Sequence, residues 1–337
     1  MKKTLSYDDV LLVPQYSDIE SRKEIDVGND LDKLIRLDLP VISSPMDTVS
    51  EENMAVAMAK NGGLAIIHRY CTIQKQSKMV SNAVSAIHGD ASPFDATVGA
   101  AVGMTGDFVE RTDQLVDSGA EVICIDVAHG HHVLMERAIK TLRDKFSGAF
   151  HLMAGNVATA EGFLALCSWG ADSVRCNIGG GSICTTRIQT GHGVPGFQTI
   201  LDCAATGGSA KIIADGGMKN AGDVVKALAG SLFAGTNEAP GSTIVIDGIK
   251  FKEYRGMASK KAQSSWRGVS SHSEGVATKV PYKGAMSYVL KELREGIVSG
   301  FSYSGARNIE ELWRKSEFCR QTLAGQQESN PHILTRL

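Results

Sequence analysis

Short runs rich in β-branched residues punctuate the chain at PVISSP (40–45), GLAIIH (63–68), TVGAAVG (97–103), VICIDV (122–127), HLMAGNV (151–157), SVRCNI (173–178) and KIIADGG (211–217). Between them lie stretches whose apolar residues return every three or four positions. These include DFVERTDQLVDSGA (107–120), VLMERAIKTLRDKF (133–146), TAEGFLALCSWGA (159–171) and NAGDVVKALAG (220–230). The first such stretch, SEENMAVAMAKNGG (50–63), opens on a serine with acids in its first turn and closes on glycine, which predicts a helix capped by Ser50. Strand and helix periods alternating in this way predict a parallel sheet with helical crossovers. The strand ends carry Ser43 and Ser44, His68, Asp126, Asn156, the glycines 179–181 and Asp215. A doubly wound sheet gathers such groups at one crossing point, whereas a (β/α)8 TIM barrel gathers them on one rim. Seven consecutive strand ends with polar or glycine punctuation favour the α/β barrel. The serine-rich stretch 257–273 has few apolar residues and no clear period, so it reads as a mobile flap over a site.

At 337 residues, 43% hydrophobic and 21% charged, the composition suits one soluble barrel domain spanning 1–337. A net charge of −2 gives no electrostatic case for nucleic acid or an anionic membrane, and no apolar run reaches membrane-spanning length. The opening MKKTLSYDDVLLVP places two aspartates and a proline where a secretory signal needs an unbroken apolar core, so a cytoplasmic location is expected. Seven irregularly spaced cysteines without a CxxC fit reduced thiols in that compartment. Cys124, Cys167, Cys176 and Cys203 have apolar or alanine-rich neighbours and are expected to be buried.

Cys184 has different company. It follows Gly179, Gly180, Gly181 and Ser182 and precedes Thr185, Thr186 and Arg187. Glycines admit positive φ and let main-chain N–H and C=O groups point inward, which makes either a cradle for an ion or a plain tight turn. The hydroxyls make Cys184 a candidate nucleophile, and Arg187 would favour its thiolate. In ADGGMKNAGD (214–223), Asp215 ends a strand and Gly216–Gly217 leads into a helix. Such a turn aims helix N–H groups at a phosphate, and the acid beside it suits paired ribose hydroxyls. Gly230–Ser231 offers a second glycine turn to the same phosphate. The histidines of DVAHGHH (126–132) are spaced wrongly for a helical metal pair, so Asp126 is the better candidate there. No GxGxxG directly follows a predicted strand and no GxSxG occurs, against a Rossmann loop and a nucleophile-elbow hydrolase.

Taken together, eleven stretches resemble the IMP dehydrogenase/GMP reductase family over nearly the whole chain: YDDVLLVP (7–14), SRKEID (21–26), PVISSPMDTVSE (40–51), GGLAIIHR (62–69), IDVAHGH (125–131), AGNVAT (154–159), GGGSICTTR (179–187), IIADGG (212–217), LFAGTNEAPG (232–241), YRGMAS (254–259) and EGVATKVPYKG (274–284). The resemblance implies a (β/α)8 barrel, a homotetramer, and a purine nucleotide, GMP or IMP, attacked at C2 by Cys184 with help from Thr186 and Glu274. It places Ser44, Met46, Ala258, Ser273 and Gly275 around the nucleotide, Asp215 on its ribose, and Tyr254, Gly256 and Met257 along its purine. Gly216, Gly217, Gly230 and Ser231 would hold the phosphate. For the cofactor, NADPH, it implies Arg69, Asp126, Val127, Ala128, Asn156, Ile178 and Gly179. Ser21 and Arg22 would come from a neighbouring subunit, and Ser299 and Ser302 would add a further contact. A potassium ion would sit on the loop at Gly179, Gly181, Cys184 and Arg187.

Within the family the text leans to GMP reductase. About twenty residues separate GGLAIIHRYCTIQKQ (62–76) from TVGAAVG (97–103), which leaves no room for the CBS regulatory insertion of dehydrogenases. Arg267 is followed by Gly268, where dehydrogenases have an Arg-Tyr pair. SSPMDTVSE and AGQQES lean the other way. The expected reaction is NADPH-dependent reductive deamination of GMP to IMP and ammonia through a cysteine thioimidate. The alternatives are an IMP dehydrogenase without its CBS module, oxidising IMP to XMP with NAD, and a purine-nucleotide-binding relative with impaired catalysis. Only residues 218–229 separate Gly217 from Gly230, whereas a loop, a crossover helix and a strand need roughly twenty residues. The eighth strand is therefore expected to be short or missing: either VVKALAG is the strand and the helix is lost, or the barrel lacks a stave. Asn177 stands where the family has glycine, and Gly180 where it has proline.

Overall fold

The computed structural model describes residues 3–89, 97–227, 233–270 and 272–329. Every predicted strand forms inside the run that announced it. They are β1 (Ile42–Ser43), β2 (Leu64–Ile67), β3 (Val98–Val102), β4 (Val122–Asp126), β5 (His151–Val157), β6 (Ser173–Cys176) and β7 (Lys211–Ala214). All seven pair in parallel, in chain order, as one sheet. The helices α1 (Glu52–Ala59), α2 (Ile73–His88), α3 (Phe108–Asp117), α4 (Val133–Phe146), α5 (Ala160–Trp169), α6 (Gly196–Ala204) and α7 (Ala221–Ala227) follow the strands in turn. The N-cap of α1 is Glu51 rather than Ser50. The Ser50 hydroxyl instead donates to the Ser44 carbonyl at 2.7 Å, tying the end of β1 to the helix start.

Side chains alternate along each strand, so successive residues enter different cores. Ala65, Ile67, Ala100, Val102, Ile123 and Ile125 pack between the sheet and its helices. Leu64, Ile66, Ala101, Val122, Cys124 and Met153 pack inside the curl. Leu31, Ile35 and Leu37 join that inner cluster from the hairpin that pairs Asn29–Asp30 with Arg36–Leu37. The hairpin is pinned there by His151, whose Nδ1 lies 2.6 Å from Asp32 Oδ2 and whose Nε2 lies 2.8 Å from Ser173 Oγ.

The sheet does not close. Among the described residues no strand joins β1 to β7. Lys211 of β7 is exposed and Ile212 and Ile213 are half-buried, whereas β2, β3 and β6 are buried throughout. A crevice of about 690 Å³ separates Pro40 and Ile42 from Lys211–Ile213, walled by Ile200 and Val225. The fold is a TIM-barrel-like α/β fold with one strand missing. Of the alternatives left by the sequence, the helix is kept: VVKA is helical within α7, and among the described residues no stave follows it. Gly230 and Ser231 lie outside the described residues.

After the gap the chain builds a three-stranded antiparallel sheet from β8 (Thr243–Ile246), β9 (Ile249–Arg255) and β10 (Ala277–Pro281). Helix α8 (Lys260–Arg267) interrupts it, so the segment 257–273 is not irregular throughout. The Ser259 hydroxyl caps α8 by accepting from the Ala262 N–H at 3.2 Å, and Gly268 ends it at φ 72°. Helix α9 (Met286–Tyr303) then packs against both α7 and α1. Gly296 and Gly300 make that approach possible, since a Cβ on either would fall 2.4 Å from Ala221 Cβ or 2.7 Å from a Val225 methyl. Among the described residues no helix is long and apolar enough to cross a membrane.

Candidate active site

A cavity of about 320 Å³ opens where the parallel strands end. Ser44 and Met46 reach it from β1, Arg69 from β2, and Asp126, Val127 and Ala128 from β4. Asn156 of β5, then Ile178, Gly179, Gly181, Cys184 and Thr186 after β6, then Asp215 and Gly216 after β7 complete one wall. Tyr254, Gly256, Met257, Ala258, Glu274 and Gly275 face them from the β9–β10 side. Residues as distant in the chain as Ser44 and Asp215 thus converge because parallel strands all finish on one rim.

Cys184 is half-buried, with its Sγ 3.1 Å from Thr186 Oγ1. Thr186 in turn donates to Glu274 Oε2 at 2.8 Å. Main-chain bonds bring the carboxylate to the thiol: the Thr185 N–H donates to the Glu274 carbonyl at 2.9 Å, and the Val276 N–H to the Ile183 carbonyl at 3.1 Å. Arg187 plays a different part from the one expected. Its guanidinium donates to the Ile178 carbonyl (3.1 Å), Asn177 Oδ1 (3.3 Å) and the Val194 carbonyl (2.5 Å). The glycine turn leaves those carbonyls uncovered, and they draw the charge to the loop's backbone instead of to the sulfur.

Beneath the cavity, Arg175 ties two carboxylates together. It is held between Asp126 Oδ1 and Asp215 Oδ2, the latter at 2.8 Å. Asn156 Nδ2 donates to the same Asp215 oxygen at 2.6 Å. Burial works against the Arg175 charge, but Asp215 and Asp126 more than offset it and raise its pKa further. Arg175 escaped the sequence reading, although a charged residue inside the apolar run SVRCNI is the available signal. Asn177, to which the motifs assign no role, braces the same corner: its Nδ2 donates to the carbonyls of Asp215 (2.9 Å) and Gly216 (3.2 Å).

The remaining candidates fall into three places. Gly217 lines an adjoining cavity of about 260 Å³ with Ser182, Lys219 and Lys283. Ser273 does not line the main cavity; its hydroxyl braces the flap by donating to the carbonyls of Ala258 (3.2 Å) and Gly275 (3.0 Å). Ser21, Arg22, Ser299 and Ser302 also lie off the cavity, with Arg22 Nη2 donating to Ser299 Oγ at 3.1 Å. Two of the three histidines serve structure: His132 caps α4 by accepting from the Leu134 N–H at 3.1 Å, and His131 packs on Trp169 at 6.2 Å. Burial pushes the Cys71 thiol up to about 11 and the Cys124 thiol up to about 12. Cys176 and Cys203 are buried as expected, whereas Cys167 is half-buried at the end of α5.

An approachable thiol, linked through a hydroxyl to a carboxylate on the strand-end rim, is the layout of a TIM-barrel-like enzyme. The chain belongs to the IMP dehydrogenase/GMP reductase family, whose domain model it matches over residues 4–332. It is 34% identical to the inosine-5'-monophosphate dehydrogenase of Nitrosopumilus maritimus (strain SCM1) across 98% of each chain. It is 30% identical to the GMP reductase of Leishmania major, across 99% of this chain and 97% of that one. The crystal structure of a cysteine-to-alanine variant of GMP reductase from Trypanosoma brucei, in complex with guanosine 5'-monophosphate, superposes with a TM-score of 0.92 at 29% identity over 99% of both chains. The family comprises nicotinamide-dependent oxidoreductases of purine metabolism.

Proposed function

We propose that the chain is a GMP reductase, converting GMP to IMP and ammonia with NADPH. The observation that carries this reading is the hydrogen-bonded series Cys184–Thr186–Glu274 at the cavity wall. A thiolate attacking C2 of the purine needs a proton delivered to the departing amino group, and Thr186 backed by Glu274 stands where it can pass one. Loss of ammonia leaves a thioimidate on Cys184. NADPH, held beside Arg69, Asp126 and Asn156, would supply a hydride to C2, and Cys184 would then leave as the thiolate to free IMP. Asp215, with one oxygen committed to Arg175 and Asn156, keeps its other for the ribose hydroxyls. The cavity containing Ser182, Gly217 and Lys219 takes the phosphate.

The residues present fit a dinucleotide cofactor. Arg69 lines the cavity with a buried Nε that no acceptor meets, a group suited to an anionic ligand. The fit to potassium is partial. Gly179, Gly181, Cys184 and Arg187 offer main-chain oxygens, but Gly181 already accepts from the Cys184 N–H and Arg187 from the Gly191 N–H, each at 3.1 Å. The Arg22–Ser299 patch, which does not line the cavity, suits a cofactor site completed by a second subunit of a tetramer. A cytoplasmic, single-domain enzyme without the CBS module completes the proposal.

The names of the relatives favour a second reading, since most are inosine-5'-monophosphate dehydrogenases. Absorbance at 340 nm separates the two. It falls with GMP and NADPH for the reductase. A rise with IMP and NAD instead establishes the dehydrogenase, and silence with both, while calorimetry still detects GMP, establishes a binding protein. Running each assay in potassium and in sodium tests the cation.

A further inference from the structure

Tyr70 stands at the mouth of the cavity, just after β2, and four aromatic and guanidinium groups meet there. Trp266, on the flap helix α8, stacks on the Tyr70 ring with centroids 6.4 Å apart and planes 22° from parallel. The Arg69 guanidinium lies 5.6 Å from that ring's centroid, and the Arg267 guanidinium 5.9 Å from it. Two like charges gathered on one ring repel each other, and a ring face offsets only part of that. Nothing else offsets it: neither arginine forms an ion pair among the described residues. The Arg69 Nη2 donates to the Asp126 carbonyl at 3.2 Å, and its buried Nε has no acceptor. An anion placed between the two guanidiniums would satisfy both.

We propose that Arg69 and Arg267 form a clamp for the phosphate groups of the nicotinamide dinucleotide, with the Tyr70–Trp266 stack as the plate that fixes their spacing. Of these four, the resemblance to the family gave a cofactor role to Arg69 alone, and marked Arg267 only for the tyrosine that does not follow it. Arg267 belongs to the flap, so the clamp also makes the flap's position depend on the cofactor. The inference rests on the proposed use of a dinucleotide but not on the direction of its chemistry. The phosphate recognised is either the pyrophosphate bridge, common to all such cofactors, or the extra ribose phosphate of NADPH.

Both possibilities are read by titrating NADPH and NADH separately into the Cys184→Ala chain saturated with GMP, following calorimetry and tryptophan fluorescence. In that background Arg267→Ala and Arg69→Ala each weaken NADPH binding about tenfold and flatten its salt dependence, while GMP affinity stays within about twofold. Arg267→Lys recovers part of the loss, and Trp266→Leu removes the fluorescence change and weakens binding. Equal weakening of both dinucleotides assigns the clamp to the pyrophosphate, and weakening of NADPH alone assigns it to the ribose phosphate. Unchanged binding of both in the two arginine variants overturns the clamp and leaves the reductase reading standing. Arginine-dependent binding by a parent chain that is silent at 340 nm removes the reductase reading and leaves the clamp.

Discussion

Asn177 and Gly180 are fitted to each other, because the Asn177 side chain occupies the space a side chain at 180 would need. A Cβ on Gly180 would lie 2.1 Å from Asn177 Nδ2, and Asn177 itself adopts φ 149°, which glycine takes without strain. The pair is therefore coupled. Gly180→Ala costs about 1–3 kcal/mol in the parent chain but under about 0.5 kcal/mol in an Asn177→Gly background. Urea unfolding of the four variants checks this, and additive effects would refute it. Arg175 yields a second prediction at this scale. Replacing it by methionine leaves two carboxylates facing each other and lowers stability by about 3–5 kcal/mol, read from the same kind of experiment. Cys184, Asp215 and the glycine loop were legible in the sequence because their chemistry is local. Arg175 and Tyr70 were not, since their meaning depends on partners brought in by other strands and by the flap.

The elements show why a missing stave need not scatter the fold. Helix α9 packs on α7 and on α1, so the outer ring of helices continues across the gap that the sheet leaves open. Among the described residues, what is lacking is a partner along the outer edges of β1 and β7 and cover for the crevice between them. Inserting a β-forming segment of roughly eight residues after α7 restores the length a full crossover needs, and should raise Tm by roughly 5 °C or more in calorimetry. An unchanged Tm would show that the gap costs nothing. The shortfall was legible as a residue count, but whether helix or strand was sacrificed was not, because VVKALAG suits both. Helix α8 was missed because its exposed face carries too few apolar residues to show a period.

The hairpin under the barrel adds a pH dependence. Burial lowers the pKa of His151, and Asp32 only partly opposes that. Its folded value therefore lies below the ordinary one of about 6.5, and the unfolded chain binds more protons between the two values. The contribution of His151 is complete above about pH 6.5 and is lost as pH falls toward its folded pKa. Tm should accordingly drop between about pH 7 and pH 5, and His151→Gln should make that drop shallower. An identical slope in the variant would remove His151 from the explanation.

At the scale of the whole molecule, seven parallel strands deliver their ends to one rim, and the β9–β10 sheet closes over it with Glu274. That arrangement separates the cysteines by use. Cys71, Cys124, Cys176 and Cys203 are buried, while Cys184 opens on the cavity and Cys319 lies on the surface. Iodoacetamide should label Cys184 and Cys319 first, and GMP should protect Cys184 alone, as peptide mass spectrometry would show. Equal protection of both would argue against a nucleotide held at Cys184. The family and the barrel were readable from motif and period over the whole length. The direction of the reaction was not, because relatives named for either activity match the chain over nearly its whole length. The measurement that reaches the central claim most directly is acid quenching during turnover with GMP and NADPH, followed by mapping of the Cys184 peptide. The account predicts a purine nucleotide bound through that sulfur. Steady turnover with Cys184 always unmodified, and retained in Cys184→Ala, would contradict it.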